Sequence, residues 1–253
     1  MPAPLLLGIS GPSSSGKTTL SRLLRDIFPP SKLFILHLDD FYLTDAEIPL
    51  RNGVQDWDCL ESLNLPQLNK ALQHIKEHGT IPDWLESIED QNSAGEHGVP
   101  TDHVHRLREK VRGWFDDRPE WAGRRICVVE GFLLFSEDMK AIRSLFDIKL
   151  FLRTSYVTAK RRREARTGYV TLLGFWQDPP GYVDDVVWPN YVKDHRFLFQ
   201  AADVDRELDE DVCHKAGING MPRDAEQNMS KCLDWAVGVL EAAIRDASNG
   251  YAS

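Results

Sequence analysis

The sequence has little of what secreted, zinc-binding or membrane proteins need. It has four cysteines in 253 residues, and no two of them form a CxxC pair. A disulfide framework or a zinc site is therefore unexpected, and reduced thiols in the cytosol are the simple interpretation. No apolar run approaches the roughly 18 residues that span a bilayer, and the N-terminus lacks the basic start of a signal peptide. We expect a cytoplasmic protein with no membrane partner.

Positive charge is also scarce. The chain has 30 Lys and Arg against 39 Asp and Glu, a formal net charge of −9. This charge argues against a protein that coats nucleic acid. The one dense basic run, KRRREAR at 160–166, therefore needs a local explanation. The eight histidines show no paired metal-ligand spacing beyond His103 and His105, which would face apart on a helix, and we assign them no function.

Short apolar runs alternate with helical patterns along the chain. Four runs are apolar nearly throughout, as are strands buried on both faces of a parallel sheet; they lie at 5–10, 33–38, 126–132 and 148–153. Helical patterns follow three of them, at about 16–28, 63–78 and 155–166. This alternation predicts an α/β fold with a doubly wound, mainly parallel sheet flanked by helices.

Two regions depart from the alternation. Residues 80–124 hold tryptophan and acidic clusters and the polar stretch EDQNSAGEHGVP. We interpret them as an inserted loop and helix near the substrate side, with a mobile polar stretch. Towards the end, Leu233 and Leu240 share a helical face, which predicts a C-terminal helix over 224–247. Since no linker divides the chain, we predict one domain over 1–253.

The most specific motif follows the first apolar run. The pattern GxxxxGK[ST] is complete, and it lies between a predicted strand and a predicted helix. Backbone N–H groups of such a loop point at phosphates, and the helix start adds a positive dipole end. Lys17 would bridge the β- and γ-phosphates, and Thr18 would offer its hydroxyl to Mg²⁺. The predicted nucleotide-binding residues are Gly11, Ser13, Ser14, Ser15, Gly16, Lys17, Thr18 and Thr19.

Acidic residues close the second and third apolar runs. Asp39 and Asp40 end the second, and Glu130 ends the third. The carboxyl ends of parallel strands line one crevice, the edge that also carries the phosphate loop. Carboxylates there would repel a triphosphate unless a cation or a substrate donor intervened, so Mg²⁺ coordination and hydroxyl activation are their natural uses. This reasoning does not choose between Asp39 and Asp40, and a solvated turn or a helix N-cap is the structural alternative for the pair.

Six segments together resemble one known family. They follow one another from about residue 5 to about residue 200: GISGPSSSGKTTL, LDDFY, QDWDCLESLN, VVEGFLLF, KRRREARTGY and DPPGYVDDVVWPNY. These segments resemble the nicotinamide riboside kinases, especially the fungal branch, within the uridine kinase and phosphoribulokinase group of P-loop kinases. The resemblance implies a P-loop NTPase fold with an Arg-rich lid at 160–169. It also implies a monomeric kinase that uses ATP, or GTP as an alternative donor, and Mg²⁺ to phosphorylate the ribose 5′-hydroxyl of nicotinamide riboside.

The resemblance also implies roles for individual residues. It makes Asp39 the proton acceptor and, with Thr18 and Glu130, a neighbour of Mg²⁺; Lys17 is the second catalytic residue. It places Asp40 and Tyr42 on the substrate side.

The resemblance further implies how the acceptor is selected. Asp58 would accept hydrogen bonds from the 2′- and 3′-hydroxyls of a ribose, and Trp57, where the family usually has Tyr, would lie against the cationic nicotinamide ring. Tyr169 matches the second aromatic residue, with Thr167 and Gly168 as neighbouring candidates. Without the resemblance, a core Trp57 and a helix-capping Asp58 would be the preferred interpretation.

The basic run fits the lid of related kinases. Because Arg162 and Arg166 lie four residues apart, they share a helical face, and guanidinium groups suit phosphate. We assign these two arginines to the nucleotide and Arg163 to the substrate. The structural alternative is a solvated charged face.

Three other functions can be weighed against the sequence. A uridine- or cytidine-type nucleoside kinase would share the loop, the Asp pair and the lid, but it gives no reason for the Trp57–Asp58 pair. A GTP-binding switch needs NKxD, whereas this chain has NKAL at 69–72. A binding module without catalysis would not need Lys17, Asp39 and Glu130 together. We expect the adenine-contacting loop within 203–216.

Overall fold

The structure is a computed structural model that describes residues 3–88, 97–116, 121 and 123–249. Its strands are β1 (Leu5–Ser10), β2 (Leu33–His37), β3 (Leu50–Arg51), β4 (Val54–Gln55), β5 (Ile126–Gly131), β6 (Ile148–Phe151), β7 (Tyr169–Val170), β8 (Phe175–Trp176) and β9 (Ile218–Gly220). Its helices are α1 (Lys17–Ile27), α2 (Leu65–His78), α3 (Thr101–Arg112), α4 (Lys140–Arg143), α5 (Tyr156–Glu164), α6 (Trp188–His195), α7 (Glu210–Ala216) and α8 (Met229–Asn249).

One parallel sheet organises these elements. Its five strands stand in the order β2-β5-β1-β6-β9, and every neighbouring pair is parallel. Two short antiparallel hairpins, β3–β4 and β7–β8, lie outside it. The sheet and its flanking helices confirm the predicted doubly wound α/β fold class.

Both faces of the sheet are buried, as the continuous apolar runs predict. All six residues of β1 are buried, and successive side chains enter opposite cores. Leu7 and Ile9 join a cluster that includes residues of α1, α3 and α8. Leu6 joins the cluster on the other face, which includes residues of α2, α4 and α7.

Helix boundaries follow local capping signals. The α2 helix begins at Leu65 because the side chain of Asn64 accepts a hydrogen bond from the Gln67 N–H, and it ends at Gly79, which has a left-handed φ of 72°. The α5 helix begins after Ser155, whose side chain accepts a hydrogen bond from the Thr158 N–H. It ends at Glu164, two residues before the predicted end.

The regions that depart from the alternation contain helices. The 80–124 segment contributes α3, and the final helix, α8, is preceded by a short 3₁₀ turn over Arg223–Ala225. Most of the polar stretch predicted to be mobile, residues 89–96, lies outside the described residues. Within the part of the chain that is described, no helix combines the length and the apolar character needed to cross a bilayer.

His195 gives the fold a predictable sensitivity to acid. Its ring is 1% exposed and lies between Phe151 and Tyr191, at centroid distances of 5.5 and 5.1 Å. Burial lowers the pKa of His195 to about 4. An unfolded histidine titrates near pH 6.5, so as the pH falls towards 4 the unfolded state binds a proton that the folded state does not.

We therefore expect this histidine to lower the free energy of unfolding by about 1.4 kcal/mol for each pH unit below about pH 6.5. Below the folded pKa the loss from this group should stop. His195→Gln, which stays neutral, should lose less stability between pH 7 and 5 than the wild type in denaturant titrations. The exposed His214→Gln is the matched control. Equal pH dependence of wild type and His195→Gln would show that His195 is not the responsible group.

Candidate active site

The register of the sheet brings the predicted residues to one edge. Glu130 on β5 lies opposite Ile9 on β1 and opposite His37 on β2. The phosphate loop leaves β1 two residues after Ile9, and Asp39 follows β2 two residues after His37. One cleft at this edge is lined by Ser13, Ser14, Gly16, Lys17, Thr18, Thr19, Asp39, Tyr42, Trp57, Asp58, Glu130, Arg163, Arg166 and Tyr169.

The phosphate loop depends on backbone conformations that favour glycine. Gly11 has a φ of 151°, and a Cβ at this position would collide with the carbonyl oxygen of Leu152. Gly16 has a φ of 101°, and α1 begins at the next residue. Ser14 also has a left-handed φ, of 61°, a conformation that costs free energy and is common at ligand sites.

Lys17 lies across the loop that precedes it. Its Nζ donates to the carbonyl oxygen of Pro12 at 3.0 Å, and the side chain is buried. Burial lowers the pKa of Lys17, while the nearby carboxylates of Glu130 and Asp39 oppose that shift. A partly desolvated ammonium between carboxylates interacts more strongly with a phosphate than one in bulk water.

Glu130 joins the phosphate loop to the second strand. Its Oε1 accepts a hydrogen bond from Thr18 Oγ1 at 2.9 Å and lies 2.8 Å from His37 Nδ1. Burial alone would raise the pKa of Glu130, but the contact with His37, the charge of Lys17 and the Thr18 hydrogen bond bring it below its usual value. Glu130 is therefore an ionised carboxylate whose position His37 and Thr18 fix.

The structure separates the two neighbouring aspartates. Both lie in a 3₁₀ turn over Leu38–Phe41 that directly follows β2. Asp39 lines the cleft. Asp40 is buried, and its Oδ1 accepts a hydrogen bond from the backbone N–H of Ile88 at 2.9 Å. Asp40 thus anchors the start of the 80–124 segment, whose Ile88 does line the cleft.

Arg163 of α5 is the most extensively bonded side chain of the cleft. Its Nη1 donates to Asp58 Oδ1 at 2.9 Å and to Ser13 Oγ at 2.8 Å. Its Nη2 donates to Asp58 Oδ2 at 3.0 Å and to Asp178 Oδ1 at 3.1 Å, and its Nε donates to Asp178 Oδ2 at 2.7 Å. All five N–H groups of the guanidinium therefore have partners. Burial opposes the charge, but Asp58 and Asp178 outweigh it and hold the pKa of Arg163 above its usual range.

The other two arginines predicted to contact the nucleotide, Arg162 and Arg166, differ in their position relative to the cleft. Arg166 lines the cleft. Arg162 does not, but its Nη1 donates to the carbonyl oxygen of Ser14 at 3.3 Å, so it contacts the phosphate loop from outside. Gly11, Ser15 and Asp40 are the other predicted residues that do not line the cleft.

Aromatic rings form a wall of the cleft. The Trp57 ring meets the ring of Tyr42 edge-on at a centroid distance of 5.3 Å. The ring of Trp176, on β8, lies 5.7 Å from the Trp57 ring at an angle of 45°. Tyr169 also lines the cleft, but the groups against its ring are the guanidinium groups of Arg163 and Arg166, at 5.0 and 5.2 Å.

The DPPGYVDDVVWPNY segment supports the Trp57–Asp58 pair from behind. The backbone N–H of Trp57 donates to the hydroxyl of Tyr182 at 2.9 Å. Asn190 Nδ2 donates to the carbonyl oxygen of Asp58 at 3.1 Å and to the carboxylate of Asp56. The segment has no group that the sequence marked as catalytic, yet it fixes the backbone of both residues.

Several cleft residues were not predicted from the sequence. Most of them are apolar, and they are Ile88, Phe132, Val170, Thr171, Leu172 and Trp176. Phe132 follows Gly131 at the end of β5, so the strand-end argument that found Glu130 could have found it. The hairpin residues and Ile88 carry no comparable signal, since they reach the cleft through loops.

The donor set of the cleft suits a hard cation. Thr18, Asp39 and Glu130 offer a hydroxyl and two carboxylates on the side of the phosphate loop. Mg²⁺ prefers oxygen ligands, and proteins commonly supply one or two carboxylates while substrate phosphates and water complete the shell. Among the described residues, no group of three or more His, Cys, Asp and Glu side chains is placed to hold a metal ion by itself.

Comparison with known proteins finds relatives in fungi and mammals. A protein named nicotinamide riboside kinase from Schizosaccharomyces pombe is 44% identical over 206 residues, which cover 81% of this chain and 84% of that protein. The protein of the same name from Saccharomyces cerevisiae is 34% identical over 249 residues, which cover 96% and 98%. Nicotinamide riboside kinase 1 of Homo sapiens is 32% identical over 197 residues, which cover 74% and 75%. A scan against models of protein families finds no match.

The Glu130 arrangement predicts how metal and nucleotide binding depend on one another. Glu130→Gln removes the charge but keeps an oxygen for Thr18. We expect the Mg²⁺-dependent gain in ATP affinity, measured by calorimetry, to fall roughly 10- to 100-fold, while metal-free ATP binding changes little. Glu137→Gln is the matched control, because Glu137 follows the same strand but is 58% exposed and pairs with Arg143. An unchanged Mg²⁺ dependence of ATP affinity in Glu130→Gln would show that Glu130 does not contribute to Mg²⁺ binding.

Proposed function

The chain belongs to the nicotinamide riboside kinase family, and we propose that it transfers the γ-phosphoryl group of ATP to the ribose 5′-hydroxyl of nicotinamide riboside. The product is nicotinamide mononucleotide, which feeds NAD biosynthesis. The observation that carries this proposal is the single cleft in which a phosphate loop meets Asp39, Trp57 and Asp58. One end of the cleft suits a triphosphate, and the other suits a riboside with a flat, cationic base.

The donor end is proposed to bind ATP. Backbone N–H groups of the loop and the start of α1 favour phosphate oxygens. Lys17 would contact the β- and γ-phosphates, and Arg162 and Arg166 would contact the nucleotide from the lid. GTP as an alternative donor stays a prediction from the sequence.

Mg²⁺ would be held by the Thr18 hydroxyl together with Asp39 and Glu130. A cation held there would supply positive charge against the negative charge that develops during phosphoryl transfer. His37 would keep Glu130 ionised and oriented towards this site. Lys17 would offset negative charge from the other side.

The acceptor end is proposed to orient the 5′-hydroxyl. Asp39 would accept its proton as the oxygen attacks phosphorus. Asp58, held by Arg163, retains a free acceptor position on each carboxylate oxygen for the 2′- and 3′-hydroxyls. Trp57, Tyr42 and Trp176 provide aromatic surface for the nicotinamide ring, whose positive charge favours a π face.

The proposal concerns a small nucleoside as the acceptor. Nicotinic acid riboside is a second acceptor that the same contacts would admit. A monomeric state and a cytoplasmic location stay predictions from the sequence.

The proposal is tested by measuring ADP release from ATP and Mg²⁺ with nicotinamide riboside, with uridine, or with no acceptor. We expect release that depends on nicotinamide riboside and is much weaker with uridine, because the aromatic wall favours a cationic ring. Faster release with uridine would identify a pyrimidine nucleoside kinase and would overturn the account of the aromatic wall. Release without any acceptor would indicate a nucleotide hydrolase.

The neighbouring aspartates give a paired test of the proposed base. Asp39→Asn should lower kcat roughly 10²- to 10⁴-fold, the range usual for a lost general base. Asp40→Asn keeps an oxygen that can accept from the Ile88 N–H, so its effect on kcat should be far smaller. Steady-state kinetics with nicotinamide riboside provide the comparison. Equal losses in the two variants, or near wild-type kcat in Asp39→Asn, would contradict the assignment.

A further inference from the structure

Asp178 lies behind the acceptor end of the cleft and contacts two of its walls at once. Its two oxygens accept hydrogen bonds from Nε and Nη2 of Arg163, at 2.7 and 3.1 Å. Oδ1 also accepts the indole N–H of Trp176 at 2.8 Å. The carboxylate is 16% exposed, and it does not line the cleft.

Asp178 determines how the Arg163 guanidinium can turn. A guanidinium that bonds to one carboxylate through Nη1 and Nη2 can still tilt about that pair of bonds. When a second carboxylate accepts from Nε and Nη2, the plane of the guanidinium is fixed. Since both oxygens of Asp58 bond to this guanidinium, fixing the plane of Arg163 also fixes the plane of Asp58.

The same carboxylate also determines the position of the Trp176 ring. Trp176 ends β8, and its ring lies 5.7 Å from that of Trp57. The Trp176 indole N–H donates to Asp178, and this bond ties the end of the hairpin to α5 through Arg163. Without this acceptor, the indole N–H of the half-buried Trp176 would favour other orientations of the ring.

We propose that Asp178 is a positioning residue that sets acceptor specificity through Arg163 and Trp176. The Arg163 contact aligns the Asp58 oxygens with the two ribose hydroxyls. The Trp176 contact holds an aromatic face at the base. This inference rests on the proposed function, because it assumes that Asp58 binds a ribose. It assigns Asp178 no contact with the reacting atoms.

The test is a comparison of kcat and KM in Asp178→Asn. The amide can still accept from Trp176, but it loses the charge and one acceptor for Arg163. We expect the KM for nicotinamide riboside to rise roughly tenfold or more, the effect of weakening hydrogen bonds to a charged group. We expect kcat to stay within about threefold, since the contacts of Lys17 with Pro12 and of Glu130 with Thr18 and His37 do not involve Arg163 or Asp178. The preference for nicotinamide riboside over its 2′-deoxy analogue should fall by a similar factor as the KM rises.

Asp184→Asn is the matched control. Asp184 also links α5 to the segment that follows the hairpin, through Lys160 Nζ at 2.6 Å, but neither residue lines the cleft. If tethering α5 were all that mattered, both variants would lose the same discrimination. Such a result would overturn the inference, as would an unchanged KM and an unchanged preference in Asp178→Asn.

A double-mutant cycle with Arg163→Lys tests the route of the effect. If Asp178 acts through Arg163, the combined loss of discrimination should be much smaller than the product of the two single losses. Independent, multiplying effects would contradict the route. Thermal unfolding of each variant identifies misfolding, and Asp178→Glu, which keeps the charge, should recover part of the discrimination. Full loss in a folded Asp178→Glu would count against positioning by charge.

The outcomes separate this inference from the proposed function. A wild type that phosphorylates nicotinamide riboside, with Asp178→Asn indistinguishable from it, would reject the inference alone. A wild type that does not phosphorylate the riboside would reject the proposed function, and the inference with it.

Discussion

The parallel register of three buried strands is the constraint on which the cleft depends. Because β2, β5 and β1 are paired without offset at their carboxyl ends, Glu130 lies between Ile9 and His37. The residues that leave these strands therefore meet at one edge, where the phosphate loop, Glu130 and Asp39 come together. A slip of one residue in β5 would turn Glu130 into a core face and bring an apolar side chain to the edge. Such a slip would leave the buried charge of Glu130 without its contacts to Thr18 and His37, so the core and these contacts together enforce the register.

Charge balance is the second requirement of the cleft. Lys17 and Arg163 are buried cations, and each lies near a buried carboxylate, Glu130 for Lys17 and Asp58 for Arg163. Removing one member of such a buried pair typically costs about 3–5 kcal/mol, because the partner remains desolvated and unpaired. The network therefore favours one arrangement of its side chains over others. That arrangement keeps the hydrogen-bonding groups oriented before a substrate arrives, which reduces the free energy spent on ordering them.

The sequence predicts the main sheet and the phosphate loop well, because both rest on local patterns. Strands such as β1 and β5 are continuous apolar runs, and the loop motif fixes its own geometry. The strand β9 and the strands of the two hairpins have two or three residues each, too few to show a period. The role of Asp40 could not be predicted from the two adjacent aspartates, since it accepts a hydrogen bond from the backbone of Ile88, far along the chain. His37 was overlooked for a similar reason: its role comes from a cross-strand neighbour, and nothing in the residues around it marks that neighbour.

Arg163 shows why the donor and acceptor ends of the cleft cannot be treated separately. One atom, Nη1, bonds both to Ser13 of the phosphate loop and to Asp58 of the acceptor wall. A movement of the guanidinium towards either group changes the bond to the other, because all five of its N–H groups are already in use. Any ligand that displaces one of these bonds therefore alters the free energy of binding at the other end, and linkage makes the effect reciprocal. Through Arg163, the α5 helix thus couples the two ends of the cleft.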